Sequence, residues 1–256
     1  LFWRPLGGLL HCDTGLGPQP CRRAAMTAQV STVMQPVVSV SNLRVRFVGR
    51  HISTLNAVNG ITFELGKGEV LGILGESGSG KTVTLRALMG LLPPKRTRIE
   101  GRIIVAGSDI VDADETTLRD IRGTKIAMVF QEPMIAFDPV FTIGVQIAET
   151  IIRHESLSSR AAYARARELL EMVQIPSATQ RLKAYPHELS GGMRQRAMIA
   201  LALSCRPRVL LADEPTSALD VSVQIQLILL LRSLQKELGM SVIFVTHDIG
   251  VAVEIS

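Results

Sequence analysis

From Val37 onward the chain is written as short apolar runs separated by polar, glycine-bearing breaks. "VVSVSNLRVRF" alternates apolar and polar positions, the mark of a strand with one buried face. "AVNGITFEL" follows, with Asn59-Gly60 as turn chemistry inside it. "EVLGIL" is a short apolar strand that enters a glycine-rich stretch. "KTVTLRALMGLL" has helical spacing and is predicted to stop at Pro93-Pro94. "RIIVAG" and "KIAMVF" read as strands, and helical spacing returns from about Ile143 to Gln174, most clearly in "RAAYARARELLEMV". A further helix is predicted from Met193 to Ser204. After it come a buried strand in "RVLLADE", a helix in "VSVQIQLILLLRSLQKEL" and another buried strand in "SVIFVTH".

Apolar strands that alternate with helices imply a parallel sheet covered on both faces, an α/β fold. The early alternating strands suit an antiparallel appendage instead. Residues 1 to about 35 lack sustained periodicity and are rich in Gly, Pro and Arg, so they are read as a tail. Pro5, Gly7 and Gly8 break its apolar stretch, which makes it a poor secretory signal. The chain opens on Leu1, and the expectation is that translation begins at Met26 or Met34.

The 256 residues, 46% apolar and 20% charged, fit an ordinary globular protein that needs no staples. Three cysteines, Cys12, Cys21 and Cys205, argue against a disulfide framework and for a reducing compartment. No run reaches the roughly 18–20 apolar residues of a bilayer span. The longest greasy stretch, Ile225 to Leu231, is read as a buried helix. The net charge is +5, yet the positive residues are scattered, so a solvated basic surface is expected and no nucleic-acid partner.

Gly75 to Thr82, "GESGSGKT", has the spacing of a phosphate-binding loop. A polyphosphate needs many donors at short range, and side chains on Gly75, Gly78 and Gly80 would hold the backbone away. Between them Glu76, Ser77 and Ser79 add amides to the same nest. The loop opens a helix, whose free amides and dipole add positive potential. Lys81 supplies a point charge to the β and γ phosphates of a nucleotide, and the Thr82 hydroxyl is a hard oxygen suited to Mg²⁺. "RVLLADEP" then ends an apolar strand in two carboxylates, Asp213 and Glu214, which are costly there unless something cationic waits. In "ELSGGMRQR", Ser190 is a natural helix cap, and Gly191 and Gly192 expose amides at a helix start, a second anion site.

"GESGSGKT", "FQEP", "LSGGMRQR", "VLLADEPTSALD" and "VTHD" occur in the order seen in ATP-binding cassette (ABC) ATPases, which the chain resembles from about Val37 to its end. Stretches such as "FQEPMIAFDPV" resemble the ATPase subunits of dipeptide, oligopeptide and nickel importers. The resemblance implies a P-loop NTPase (RecA-like) core over residues 36–256, with an N-terminal antiparallel β subdomain and a helical subdomain inserted at about 137–189. It implies ATP and Mg²⁺ as ligands. It also implies a head-to-tail dimer, with an identical or a paralogous subunit, in which the Gly75–Thr82 loop of one chain and the Ser190–Gly192 helix start of the other clamp one ATP. Thr82, Asp213 and Gln131 would serve the metal, Glu214 would orient or deprotonate the attacking water, and His247 would contact the γ-phosphate. Gln131 would also face the membrane subunits, Asp220 would communicate across the dimer, and Phe47, with His51 as a weaker option, would stack on adenine.

As such a subunit the protein would sit on the cytoplasmic face of the inner membrane. It would power an importer of peptides or a related solute, bound to permease subunits and served indirectly by a solute-binding protein. A non-transport cassette, such as a component of a phosphonate-processing complex, and a nucleotide-binding fragment without significant hydrolysis are the alternatives. A DNA-repair cassette is disfavoured because no long insertion separates Thr82 from Ser190. Relatives continue past the histidine motif, so the last core strands and a C-terminal extension are expected to lie outside this sequence, which would make it a fragment or half of a tandem protein.

Overall fold

In the computed structural model, residues 35–48, 54–217, 219–248, 250 and 254 are described. The expected tail, the adenine candidate His51, and Cys12 and Cys21 lie outside them. In chain order the elements are β1 (Val38–Phe47), β2 (Leu55–Leu65), β3 (Val70–Leu74), α1 (Lys81–Leu88), β4 (Thr97–Val105) and β5 (Ser108–Asp109). They continue with α2 (Glu115–Ile121), β6 (Ile126–Val129), α3 (Ile143–Glu155), α4 (Ser159–Met172), α5 (Ala178–Arg181) and α6 (Gly191–Leu203). Then come β7 (Val209–Asp213), α7 (Val221–Leu238) and β8 (Ser241–Thr246). Short 3₁₀ turns occupy Pro133–Ile135 and Pro186–Glu188.

The strands form two sheets. One is antiparallel in the order β2-β1-β4-β5, and the other is parallel in the order β3-β8-β7-β6. The appendage and the parallel core are therefore both as the apolar patterns require. Every residue of β6, β7 and β8 is buried. Alternate side chains along these strands enter different cores. Ile126, Met128, Val209, Leu211, Ile243 and Val245 join the core shared with β1, β2, β4 and α1. Ala127, Val129, Leu210, Ala212, Val242 and Phe244 join the core built from α3, α4, α6 and α7. A strand with apolar neighbours on both faces has no room for a polar residue except at its ends.

Helix starts follow their capping residues. Asp114, Ser158, Ser190 and Asp220 each accept a hydrogen bond from the backbone N–H three residues on, opening α2, α4, α6 and α7. The helical segment 143–174 is two helices, because Ser156 turns left-handed at φ 53° and closes α3. α3 and α4 pack on each other and on α6, close to the expected inserted helical unit.

Four expectations shift. α1 does not reach Pro93: Gly90, at φ 63°, ends it, with Leu91 N–H donating to Arg86 O at 2.9 Å and Gly90 N–H to Ala87 O at 3.0 Å. That paired closure needs a left-handed residue, which glycine adopts without strain, and it acts before the proline does. Asn59-Gly60 makes no turn: the pairing jumps from Leu43↔Ile61 to Arg44↔Asn59, so Gly60 is the extra residue of a bulge in a continuous β2. α6 begins at Gly191, two residues before Met193, because the Ser190 cap draws both glycines into the first turn. α7 is buried on one side only. Leu227, Ile228, Leu230, Leu231 and Leu234 enter the core, while Ile225 and Leu229 stand about half exposed.

Gly101 shows how tightly β1 and β4 meet. Its φ is 94°, and a Cβ there would lie 2.4 Å from Asn42 O and 2.5 Å from Ser41 O. Gly101→Ala is expected to lower unfolding stability by about 2 kcal/mol or more, combining left-handed strain with backbone overlap. Urea denaturation with an unchanged midpoint would contradict this packing.

Candidate functional site

The parallel register gathers three strand ends. Leu74 pairs with Thr246 and Asp213 with Val245, so the loop after β3, the carboxylates after β7 and the histidine after β8 emerge at one edge. Crevices at the carboxyl ends of parallel strands are where such sheets take ligands.

Gly75–Thr82 makes the first wall. Gly78 and Gly80 have φ 82° and 90°, and Gly80 is the left-handed cap from which α1 starts. A Cβ on Gly80 would lie 2.3 Å from Ala57 O, so β2 lies directly against the loop. A Cβ on Gly75 would meet Ser79 Oγ at 2.7 Å. Lys81 is buried, and its ammonium donates to Gly75 O at 2.7 Å and Glu76 O at 2.9 Å. These bonds fold the lysine back over the loop it follows.

The second wall is acidic. Thr82 Oγ1 donates to Asp213 Oδ1 at 3.0 Å. Burial pushes the Asp213 carboxyl up, the Thr82 hydrogen bond pulls it back, and the Glu214 charge raises it further. Glu214 leaves the strand at φ 44°, a conformation unusual for a side chain of its size, held by its N–H to Val245 O at 3.0 Å. This turn sends its carboxylate toward both Lys81 and His247: Oε1 lies 3.5 Å from Lys81 Nζ, and Oε2 lies 3.1 Å from His247 Nδ1. The His247 side chain is 60% exposed, against 17% for Glu214. Glu214 thus sits inside the pocket, with the histidine at its mouth.

The other expected residues are distributed around this group. Gln131 lies two residues beyond β6, at the same edge, exposed and without a hydrogen bond to Asp213, Glu214 or His247. Ser190 caps α6, accepting from Met193 N–H at 3.3 Å, and Ser190 and Gly191 are exposed. A Cβ on Gly192 would lie 2.9 Å from Val223 Cγ1, and one on Gly191 would meet Leu219 Cδ2 at 3.9 Å. The α6 start therefore rests on the start of α7, which Asp220 caps by accepting from Val223 N–H at 3.0 Å. Phe47 is partly buried against the smaller core and is not among the residues lining the cavity beside the loop.

Sequence reasoning missed two supports. Ala57 and Val58 of β2 help line the cavity of about 360 Å³ beside Gly75, Ser79, Gly80 and Lys81, and only the three-dimensional meeting of the two sheets reveals them. Thr216, Ser217 and Gln224 line a small cavity of about 110 Å³ with Glu214 and His247. Gln224 was reachable, since it stands one helical turn after Asp220.

Residues 58–217 match the ABC transporter family. The chain belongs to that family. The dipeptide transport ATP-binding protein of Bacillus subtilis (strain 168) is 46% identical over 224 residues, spanning 87% of this chain and 67% of the relative. The oligopeptide transport ATP-binding protein of the same strain is 47% identical, over 79% of this chain and 57% of its own length. The glutathione import ATP-binding protein of Escherichia coli (strain K12) is 47% identical, over 86% and 36%. The chain thus spans between about a third and two thirds of these relatives. Among solved structures, a dimeric post-hydrolysis state of the ATP-binding cassette MJ0796, bound to ADP and Pi, superposes with TM-score 0.75 at 32% identity, over 85% of this chain and 90% of that one. Fold and family agree with the two sheets of this ABC chain.

The residues fit a magnesium nucleotide. Both loop glycines with positive φ open the backbone toward an anion, and the Thr82 hydroxyl and Asp213 carboxylate put two hard oxygens together. Among the described residues no cluster of three His, Cys, Asp or Glu could hold a metal unaided.

Two outcomes are expected. Gly80→Ala forces the loop off Ala57, and titration with a fluorescent ATP analogue should show binding weakened by about tenfold or more. Asp213→Asn should melt higher than the parent in metal-free buffer at neutral pH. A folded-state carboxyl raised above its unfolded value destabilises the fold increasingly as pH rises through those two values, and fully above them. The asparagine removes that penalty and keeps an acceptor for Thr82. An equal or lower melting temperature across that pH range would contradict the buried-charge account.

Proposed function

We propose that this chain is the ATP-binding and ATP-hydrolysing part of an ABC importer for peptides or a related solute, working as a dimer with a second cassette, identical or paralogous. The observation that carries the reading is the bridge Lys81–Glu214–His247 at the strand ends, beside a glycine loop shaped for phosphate. The names of the relatives, dipeptide, oligopeptide and glutathione transport proteins, supply the solute class.

In this reading Lys81 exchanges its loop carbonyls for the β and γ phosphate oxygens, which releases Glu214 from the ammonium. Glu214 then holds the attacking water and accepts its proton. His247, already hydrogen-bonded to Glu214, fixes the carboxylate's rotation and faces the γ-phosphate. Thr82, Asp213 and Gln131 would hold Mg²⁺, which would supply charge neutralisation on the phosphate oxygens. Catalysis of phosphoryl transfer is chiefly positioning and charge stabilisation, which this set supplies. The exposed Ser190–Gly192 helix start serves the nucleotide of the partner chain, with its amides and dipole pointed at phosphate. Asp220 caps α7 beneath that same helix start, so a shift at the dimer face reaches both. The exposed apolar surface of Met134 and Ile135 beside the Gln131 loop receives a short helix of a permease, so the chain works at the cytoplasmic face of the membrane as a peripheral subunit. A solute-binding protein acts only through the permease.

No helix of the described residues is long and apolar enough to cross a membrane. Glu214→Gln should retain nucleotide binding and lose at least about 100-fold in turnover, because the proton acceptor is gone while the shape remains. Lys81→Ala should instead lose nucleotide binding itself. Steady-state phosphate release together with a nucleotide titration separates the two, and parental turnover in Glu214→Gln would refute the assigned role.

A further inference from the structure

At the edge of the parallel sheet opposite the carboxylates, the amino ends of β3, β7 and β8 border a cavity of about 660 Å³, against about 360 Å³ beside the glycine loop. Three cations line it: Lys67 from the turn before β3, and Arg206 and Arg208 from the link between α6 and β7. No carboxylate joins them in the lining. Among the described residues none of these three side chains makes a hydrogen bond or an ion pair. Apolar side chains, Val37, Leu238 and Met240, share the lining. Gly107 and Gly239 present bare backbone to it, at φ 80° and 62°, and a Cβ on either would meet nothing within 4 Å.

The backbone beneath these cations is fixed from within. Ser241, 1% exposed, donates its hydroxyl to Gly66 O at 2.9 Å and accepts from Gly68 N–H at 2.8 Å, on either side of Lys67. Gln235, also buried, donates its amide to Gly68 O at 2.7 Å. The Ser241 N–H donates to Arg208 O at 2.9 Å, and the Arg208 N–H to Lys125 O at 3.1 Å. Arg206 is held left-handed at φ 50°, with its N–H on Leu203 O at 3.0 Å. Buried polar side chains are costly unless bonded, and these two direct their bonds to the turn that carries Lys67. A frame fixed in advance lowers the ordering cost of holding a ligand.

We infer that this cavity binds a small organic anion, with at least two negative charges on a compact apolar body, at a site separate from the nucleotide edge. Unpaired cations facing one cavity favour an anion and penalise a cation. Their hydrogen bonds to phosphate or carboxylate oxygens are charge-assisted, about twice as strong as neutral ones. The volume lies within the roughly 300–1,000 Å³ of small-molecule sites. A bare inorganic anion leaves Val37, Leu238 and Met240 uncovered, and a neutral apolar molecule leaves the cations unanswered. The sequence ahead of Gln35, another residue of the lining, carries Arg4, Arg22 and Arg23 against Asp13, the wrong sign for an occupant. β7 separates the two edges by the four steps from Val209 to Asp213, about 13 Å, so a ligand here does not compete with nucleotide.

The test is isothermal titration calorimetry on the full chain at low salt, with saturating Mg-ADP present to occupy the glycine loop. 2-Naphthyl phosphate, a dianion on an apolar ring, should bind at least about tenfold tighter than 2-naphthol or inorganic phosphate. Lys67→Gln/Arg208→Gln should weaken it by about tenfold. Leu238→Glu, which brings a like charge to the rim and leaves the cations in place, should weaken it too and guards against a folding defect in the first variant. Arg208→Lys, which keeps the charge, should stay within about threefold of the parent. Equal affinity for the three probes, parental affinity in Lys67→Gln/Arg208→Gln, or tighter binding of a deca-glutamate peptide than of 2-naphthyl phosphate overturns the inference. Binding of ADP is read in its own titration. Its failure with the Lys67 and Arg208 dependence intact counts against the nucleotide reading alone, and the converse counts against this site alone.

Discussion

Burial of the parallel sheet on both faces is the constraint from which the rest follows. β7 and β8 send alternate side chains into two different apolar cores, so neither strand tolerates a charge along its length. Polar chemistry is confined to the strand ends, and parallel pairing puts the carboxyl ends of β3, β7 and β8 at one edge. Asp213 sits at the last position still within the strand and bears the consequence: its carboxyl is desolvated and depends on the Thr82 hydroxyl. Glu214, one residue on, escapes by turning left-handed, and that turn aims it at Lys81 and His247. The strain at one backbone position and the geometry of the charge bridge are thus the same event.

Much of this was readable in the sequence because the signals are local. Apolar runs of strand length, the Gly75–Thr82 spacing and the capping residues Ser190 and Asp220 each act over a few neighbouring positions, and the elements they predict are present, with the ends of α1 and α6 moved. The departures came where a second local rule acted first, or where two distant segments met. Gly90 closed α1 ahead of Pro93, and Gly60 became a bulge because β1 carries its own irregularity opposite it. The contact of Ala57 with Gly80 has no local signature at all: it exists only because the antiparallel sheet lies against the loop. The exposed faces of α7 were equally invisible, since Ile225 and Leu229 look like core residues until the helix is placed.

The site residues divide along the same line. Lys81, Thr82, Asp213, Glu214 and His247 are joined by hydrogen bonds or short ion pairs within one chain. Ser190 and Gly191 are exposed, capped and packed on α7, with no contact to that group. On the proposed reading, an exposed helix start with no contact to that group suits a ligand arriving on another molecule, which would make the site composite.

α6 connects the two surfaces that matter. Its first turn carries Ser190, Gly191 and Gly192. Met198 and Leu201, near its other end, line an apolar cavity of about 180 Å³ with Met128, Phe130 and Ala136. At about 1.5 Å per residue, the ten steps from Gly191 to Leu201 span about 15 Å of continuous helix. The helix is packed on α3, α4 and β6, and its side chains at Ala197, Met198, Ile199 and Ala200 are almost wholly buried. A rod held so firmly does not bend under a load at one end; it moves with the unit that contains it. On the proposed reading, a partner seated beside that end of α6 would act directly on the orientation of the glycine-bearing start, and an anion held at that start would resist displacement of the partner. Coupling of this kind is reciprocal by necessity, and it needs no relay of small conformational steps.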